Sequence, residues 1–188
     1  PYKTIQAAVT AASAGDTIYV KALNMAAGAT DPVSYAETII IPSAKSRLSL
    51  IGVGGGPAQG SLPQIRMGSG STALLDIKSP GCTVANLGFN GASSTGGGIL
   101  LTDDGGTTNA AFGTVITGCH FKNCKGHATD SRLGGGVYWP AAGGAWQVII
   151  AGNRFYNNVG GITLVGTSTS RPKDVIIDGN WFGADAAT

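Results

Sequence analysis

A short line of residues ending in phenylalanine recurs four times in the second half of the chain, and it limits the fold more than any other feature. The lines are Val84–Phe89, Ile116–Phe121, Ile150–Phe155 and Ile177–Phe182. Their phenylalanines lie 32, 34 and 27 residues apart, so segments of variable length connect a constant unit. A small unit that cannot bury its own apolar face must stack on its copies, which predicts a solenoid.

Glycine-led apolar segments lie between these lines and complete the repeating unit. They are Gly98–Leu101, Gly136–Trp139 and Gly161–Leu164. Each unit then contains three short strands, and one turn of the coil is called a rung below. Parallel strands stack about 4.8 Å apart, so equivalent positions on successive rungs form ladders.

Composition agrees with a β protein rich in turns and excludes several other classes. The 188 residues include 31 glycines and only 12% charged residues, about half the usual share of 25%. The glycines lack a Gly-X-Y period, which excludes collagen, and no apolar run approaches the length of a membrane span. A net charge of +2 from scattered lysines and arginines is too weak for a nucleic-acid partner.

The chain opens with its one convincing helix. Ile5, Ala8, Val9 and Ala12 share one face at helical spacing, with Thr4 as the N-cap. Strands are predicted at residues 17–20, 38–41 and 48–51. We therefore expect one domain over residues 1–188, with a capping helix within residues 1–15 and about six to seven rungs over residues 16–188.

The opening segment and the repeated lines together resemble a known superfamily. Tyr2–Val9 followed by Gly15–Val20, Tyr35–Ile41 running into Leu48–Gly52, and the Ile-Ile-x-Gly-Asn-x-Phe lines look like the right-handed parallel β-helix of the pectate-lyase-like superfamily. The resemblance implies an all-β, single-stranded solenoid over nearly the whole chain. It leaves the activity open, because such folds include lyases, hydrolases, esterases, phage tailspikes and inert structural proteins.

The repeated lines predict which side chains point into the coil. Two inward ladders are apolar: Val84, Ile116, Ile150 and Ile177, and then Phe89, Phe121, Phe155 and Phe182. Gly118, Gly152 and Gly179 are expected at tight corners that need a positive φ. Leu87, Cys119, Asn153 and Asn180 form a third inward ladder, in which the asparagines are structural. Three cysteines (Cys82, Cys119 and Cys124) are too few for a disulfide framework.

The residues that flank each phenylalanine point outward and supply the candidate binding site. On stacked rungs they predict a basic and aromatic strip, called the strip below: His120, Lys122, Arg154, Tyr156 and Trp181. Such a set can stack on sugars or anchor a protein partner. The alternative is an ordinary solvated sheet face.

Candidates for catalysis are weaker. The resemblance implies active sites along the outer face of the glycine-led strands, where Leu100, Tyr138 and Thr163 are interpreted as offering no ionisable group. The adjacent pair Asp103 and Asp104 is typical of a turn rather than of an acid–base dyad.

A loop beside the same strands carries the other weak candidates, His127, Asp130 and Arg132. The motifs of pectinesterases and of pectate lyases are missing, and no Cys/His cluster has zinc spacing. No metal site and no cofactor are therefore expected, and Ca²⁺ would enter only with a lyase.

The leading functional expectation is a non-enzymatic structural and adhesive β-helix of an extracellular or virion assembly, such as a phage spike, fibre or capsid-associated protein. The chain is expected to be a piece of something longer. An exposed last rung would be an open sheet edge, so a homotrimer or continuing chain is expected to cover it. The alternatives are a polysaccharide lyase or hydrolase acting on an acidic polysaccharide, and a secreted carbohydrate-binding module.

Overall fold

The computed structural model describes residues 1–24, 33–54, 62–66, 73–92, 97–102, 111–125, 135–140, 146–166 and 171–184. The elements are α1 (Ile5–Ala11), β1 (Thr17–Lys21), β2 (Tyr35–Ala36), β3 (Ile39–Ile41), β4 (Ser49–Val53), β5 (Gln64–Arg66), β6 (Ala73–Ile77), β7 (Thr83–Ala85), β8 (Gly88–Asn90), β9 (Gly97–Leu101), β10 (Val115–Thr117), β11 (His120–Lys122), β12 (Val137–Trp139), β13 (Ile149–Ala151), β14 (Arg154–Tyr156), β15 (Ile162–Leu164), β16 (Ile176–Asp178) and β17 (Trp181–Gly183). Within these ranges no helix is long and apolar enough to cross a membrane.

The strands form three sheets in which every pair is parallel. Sheet A has the order β1-β4-β7-β10-β13-β16, sheet B has β2-β5-β8-β11-β14-β17, and sheet C has β3-β6-β9-β12-β15. Consecutive strands therefore belong to different sheets, and each strand pairs with the strand three further along the chain. This connectivity is consistent with a parallel β-helix-like solenoid, and the strands described make up six rungs, the last without a sheet C strand.

Helix α1 packs on the first rung. Thr4 Oγ1 accepts from the N–H of Ala7, and the buried helix residues are Ile5, Ala8 and Val9, which confirms the predicted N-cap and apolar face. The Glu37 carboxylate, on the first rung, accepts from the N–H groups of Ile5 and Gln6 at 2.8 and 2.9 Å. A buried face and a carboxylate at its first turn hold this short helix in place, since seven residues would not be helical alone.

The inward ladders are confirmed over most of the coil. Val84, Ile116 and Ile150 are fully buried and lie in register with one another. The four phenylalanine rings form one stack, with centroids 5.1, 4.8 and 4.9 Å apart and planes within 10° of parallel. Ile177 and Phe182 continue these ladders on the last rung, but they are 50% and 60% exposed, because no described rung follows them.

The phenylalanine stack explains the glycines at the start of the last three sheet C strands, β9, β12 and β15. A Cβ on Gly136 would lie 2.4 Å from a ring carbon of Phe155, and one on Gly161 would lie 2.3 Å from Phe182. Real Cβ atoms do not approach other atoms this closely, so Phe155 and Phe182 fill the space where a side chain at Gly136 or Gly161 would stand. The glycine and the phenylalanine are therefore one packing unit.

All three cysteines are buried and free. Burial raises the pKa of Cys82 to about 11 and that of Cys119 and Cys124 to about 12. The Cys119 thiol faces the backbone carbonyls of Val84 and Thr117, so it behaves as a small core residue.

The phenylalanine stack can be tested directly. Phe155 is 3% exposed and lies between Phe121 and Phe182 in the stack. We expect Phe155→Ala to lower the free energy of unfolding by about 3–5 kcal/mol. Chemical denaturation measures this loss. Phe182→Ala is the matched control and should cost less, because that ring is exposed on one side; equal losses would contradict the register.

The thiols give a second test. The pKa values of the folded thiols lie above the ordinary value of a cysteine, about 9.0, so the folded state holds these protons more tightly. The thiols' contribution to stability is complete below about pH 9 and falls as pH rises toward 12.

At pH 8 a thiol reagent should leave all three unmodified until denaturant is added, and modification of the folded protein within minutes would disprove their burial.

Candidate functional site

The strip lies on sheet B because of the local geometry of three short strands. β11, β14 and β17 each contain three residues with the phenylalanine in the middle, so the residues on either side point outward. His120 pairs with Arg154, which pairs with Trp181. Lys122 pairs with Tyr156, and Tyr156 with Gly183. The structure therefore brings all five predicted residues onto one face, in two adjacent ladders.

A corner of positive φ precedes each of these strands. The φ angles are 62° at Gly118, 64° at Gly152 and 58° at Gly179, and Asn86 takes the same place one rung earlier with φ 55°. A Cβ on Gly118 would lie 2.5 Å from Asn86 Oδ1. The corners confirm the prediction, with an asparagine serving where the sequence analysis expected only glycine.

Amide side chains fix these corners from inside the coil. Asn153 Oδ1 accepts from the Cys119 N–H at 2.9 Å, and Asn153 Nδ2 donates to the Ile116 carbonyl at 3.0 Å. One rung later Asn180 Oδ1 accepts from both the N–H and the Nδ2 of Asn153. The predicted structural role of these asparagines is confirmed, since each satisfies backbone groups that would otherwise be buried without partners.

A second amide, which the sequence analysis missed, holds the other end of β14. Asn158 Oδ1 accepts from the Cys124 N–H at 2.8 Å, and Asn158 Nδ2 donates to the Phe121 carbonyl at 3.0 Å. The signal was available, because Cys124 and Asn158 follow Cys119 and Asn153 by the same five residues. Arg154 and Tyr156 thus stand on a strand that is bound at both ends.

A groove of about 420 Å³ runs along the C-terminal part of the strip. Its outward walls are His120, Arg154, Tyr156 and Trp181. The guanidinium carbon of Arg154 lies 4.7 Å from the centre of the Trp181 ring, within the range of a cation–π contact. Trp181 is nevertheless 58% exposed, so this contact orders the two side chains and leaves much of the indole accessible.

The face of sheet B is basic. None of its six strands contains an aspartate or glutamate. Arg66, which the sequence analysis did not include, is exposed and lies in the same ladder as Lys122, with Asn90 between them. Asn90 is an outward position but is buried, so the strip is interrupted at that rung.

The outer face of sheet C differs from the expectation. Tyr138 pairs with Leu100 and Thr163 as predicted, but Leu100 and Tyr138 are buried, and they cluster with Ala73. The interpretation that this ladder lacks ionisable groups is also wrong. Asp76 occupies it one rung before Leu100.

Asp76 has its own polar neighbours. Its carboxylate accepts a hydrogen bond from the Thr102 hydroxyl and lies 3.8 Å from Lys78 Nζ. Burial raises the pKa of Tyr138, and the charge of Asp76 raises it further.

The catalytic candidates Asp103, Asp104, His127, Asp130 and Arg132 lie outside the described residues. Among the residues that the structure does describe, no group of three or more His, Cys, Asp or Glu side chains could hold a metal ion.

Comparison with known proteins adds no relative: no family model, curated protein or solved structure matches this chain.

Proposed function

We propose that this protein is a structural and adhesive β-helix that uses the strip to contact a partner subunit or a surface glycan. The observation that carries the proposal is the pair of Arg154 and Trp181, stacked at 4.7 Å and still largely open to solvent beside a groove. A large indole is more stable when covered, and surface tryptophans often mark interaction sites.

The hydrogen bonds and ring contacts that fix the backbone of the strip favour a binding role. β14 is held by Asn153 and Asn158 at its two ends, and Phe155 beneath it is clamped in the ring stack. The outward side chains therefore stand on a backbone that needs little ordering when a ligand binds, and such preorganisation raises affinity.

The resemblance to the pectate-lyase-like superfamily supplies the finer parts of the proposal. We infer a right-handed, single-stranded β-helix, in keeping with the three parallel sheets and the single N-terminal helix. We also infer an extracellular or virion setting. The partner there would be a homotrimer or a continuing chain, whose strands could pair with the edge of a stacked rung. These inferences rest on the resemblance of the repeats.

Substitution within the strip tests the proposed contact. The probes are immobilised anionic and neutral polysaccharides and the protein's own assembled form. Trp181→Ala and Arg154→Ala should each weaken the contact about tenfold, equivalent to about 1.4 kcal/mol. Val53→Ala, which removes an apolar side chain that is 49% exposed on sheet A and lines neither groove, is the control and should change little.

Exposure of Trp181 gives an independent readout. Binding or assembly should protect its indole fluorescence from a soluble quencher, with Trp139, which is fully buried, as the internal reference. If Trp181 remains as accessible in the assembled particle as in the free chain, and neither variant affects binding, the strip is only a solvated face.

A polysaccharide lyase or hydrolase is the second candidate, favoured by one observation on sheet C. Asp76, Lys78 and Thr102 are joined by contacts there, and the charge of Asp76 acts on Tyr138. A carboxylate beside a lysine supplies two of the groups that acid–base cleavage uses.

Incubation with acidic polysaccharides distinguishes the two candidates. We expect no unsaturated product, which would absorb in the near ultraviolet, and no new reducing ends. Either signal, if lost in Asp76→Asn and retained in the control Asp178→Asn on sheet A, would favour the enzyme over the adhesive protein.

A further inference from the structure

Among the described residues, no strand pairs with the N-terminal edge of sheet A. β1 is the first strand of the sheet and pairs with β4. The Ser49 N–H donates to the Asp16 carbonyl at 2.9 Å, and the Ala22 N–H donates to the Val53 carbonyl at 3.3 Å. Alternate residues of a strand direct their peptide groups to opposite sides. The backbone N–H and C=O groups of the even-numbered residues from 16 to 22 therefore point toward β4. Those of the odd-numbered residues point away from β4.

The groups that face away belong to Thr17, Tyr19 and Lys21. The Lys21 carbonyl confirms this direction, because it accepts from the Tyr35 hydroxyl at 2.8 Å rather than from β4. The N–H and C=O of Thr17 and Tyr19 and the N–H of Lys21 have no hydrogen bond to any described residue. They form a row of alternating donors and acceptors, which is the pattern that another strand complements.

A groove of about 600 Å³ lies along this row, between β1 and α1. Its volume is within the range of sites that bind ligands. The helix side is lined by Ala8, Ala11 and Ala12, whose small side chains leave room for those of an added chain. The five residues of β1 span about 16 Å at 3.3 Å per residue, enough for a segment of similar length.

The inward ladder of sheet A is incomplete at the same place. Ile18 is partly exposed, although Leu50, its partner one rung later, and Val84 and Ile116 beyond it are fully buried. An apolar side chain placed before Ile18 would extend this ladder by one position and cover it.

The capping helix closes a different edge. Gln6 Oε1 accepts from the Ile40 N–H at 2.7 Å, and Gln6 Nε2 donates to the Ile40 carbonyl at 3.3 Å. The Gln6 amide therefore substitutes for a neighbouring strand on β3 of sheet C. β1 has no such amide among the described residues, so the helix protects sheet C and leaves sheet A open.

We propose that this groove binds an extended segment of a separate protein, which adds to sheet A as a strand beside β1. The recognised chemistry is a strand with an apolar side chain at every second position, one of which lies next to Ile18. The row of peptide groups favours a polypeptide over a sugar, and the strands described for this chain already have their places in the three sheets.

The probe is a peptide with the sequence of residues 47–53, which already carries the sheet A alternation. We expect it to bind the folded protein, shift the amide signals of Tyr19 and Lys21, and slow their hydrogen exchange. Two methylated forms provide the control. N-methyl groups at residues 48, 50 and 52 of the peptide should abolish binding if the new strand is parallel like the others, whereas methylation at 49, 51 and 53 should leave it.

Variants of α1 provide the matched pair. Ala11 is exposed and lines the groove, whereas Ala7 is exposed on the same helix and does not. Ala11→Phe should weaken peptide binding at least tenfold and Ala7→Phe less than twofold, with thermal melting showing that both are folded. If Ala11→Phe unfolds the protein, Tyr35→Phe, which frees the Lys21 carbonyl, replaces it and should alter the affinity.

Three results would overturn the proposal. The peptide could fail to bind, or both methylated forms could bind equally, which would show that no strand is added. Oligosaccharides could shift Tyr19 and Lys21 where the peptide does not, which would make the groove a sugar site. The chain could dimerise through this edge, with the dimer lost in Ala11→Phe, which would place a second copy there.

Discussion

The spacing of the rungs governs every other feature of the structure. Each ladder position must accept one side chain about every 4.8 Å, which flat aromatic rings, branched aliphatic chains and amides can satisfy without voids. The phenylalanine rings meet this condition, at 4.8 to 5.1 Å with nearly parallel planes. Their position in turn excludes side chains from Gly136 and Gly161, so the glycines of sheet C follow from the rings of sheet B. The strip follows as well, since each outward residue flanks an inward ring.

Periodicity made the coil predictable, and its limits show where sequence reasoning fails. The repeated lines were enough to predict the register of His120, Arg154 and Trp181, because a fixed cross-section leaves only one alignment. The burial of Tyr138 could not be predicted, since it depends on what lies over sheet C rather than on the repeat. Asp76 was missed because its strand carries no phenylalanine line to align it.

The same reasoning accounts for the exposure of the last rung and for the amides. Ile177 and Phe182 belong to inward ladders, but a ladder buries a residue only when both neighbours are present, so their exposure is a property of position rather than of residue type. Asn158 repeats the geometry of Asn153 five residues later, and it was overlooked because it lies beyond the phenylalanine line that was aligned. Function was less accessible still, since the strip's composition suits sugar and protein alike.

The two interaction surfaces proposed for this protein differ in what they recognise, and the difference has a physical origin. On sheet B the backbone of β14 is paired on both sides, with β11 and with β17, so a ligand on this face meets side chains, and affinity depends on Trp181 and Arg154. At β1 the unpaired peptide groups of Thr17 and Tyr19 lie along the groove, so a ligand there meets backbone donors and acceptors. A β-helix presents both kinds of surface because its faces are satisfied along their length, while its edges are satisfied only by another strand or by a side chain that imitates one. Gln6 does this for β3, and the absence of an equivalent among the described neighbours of β1 distinguishes a capped edge from a receptive one.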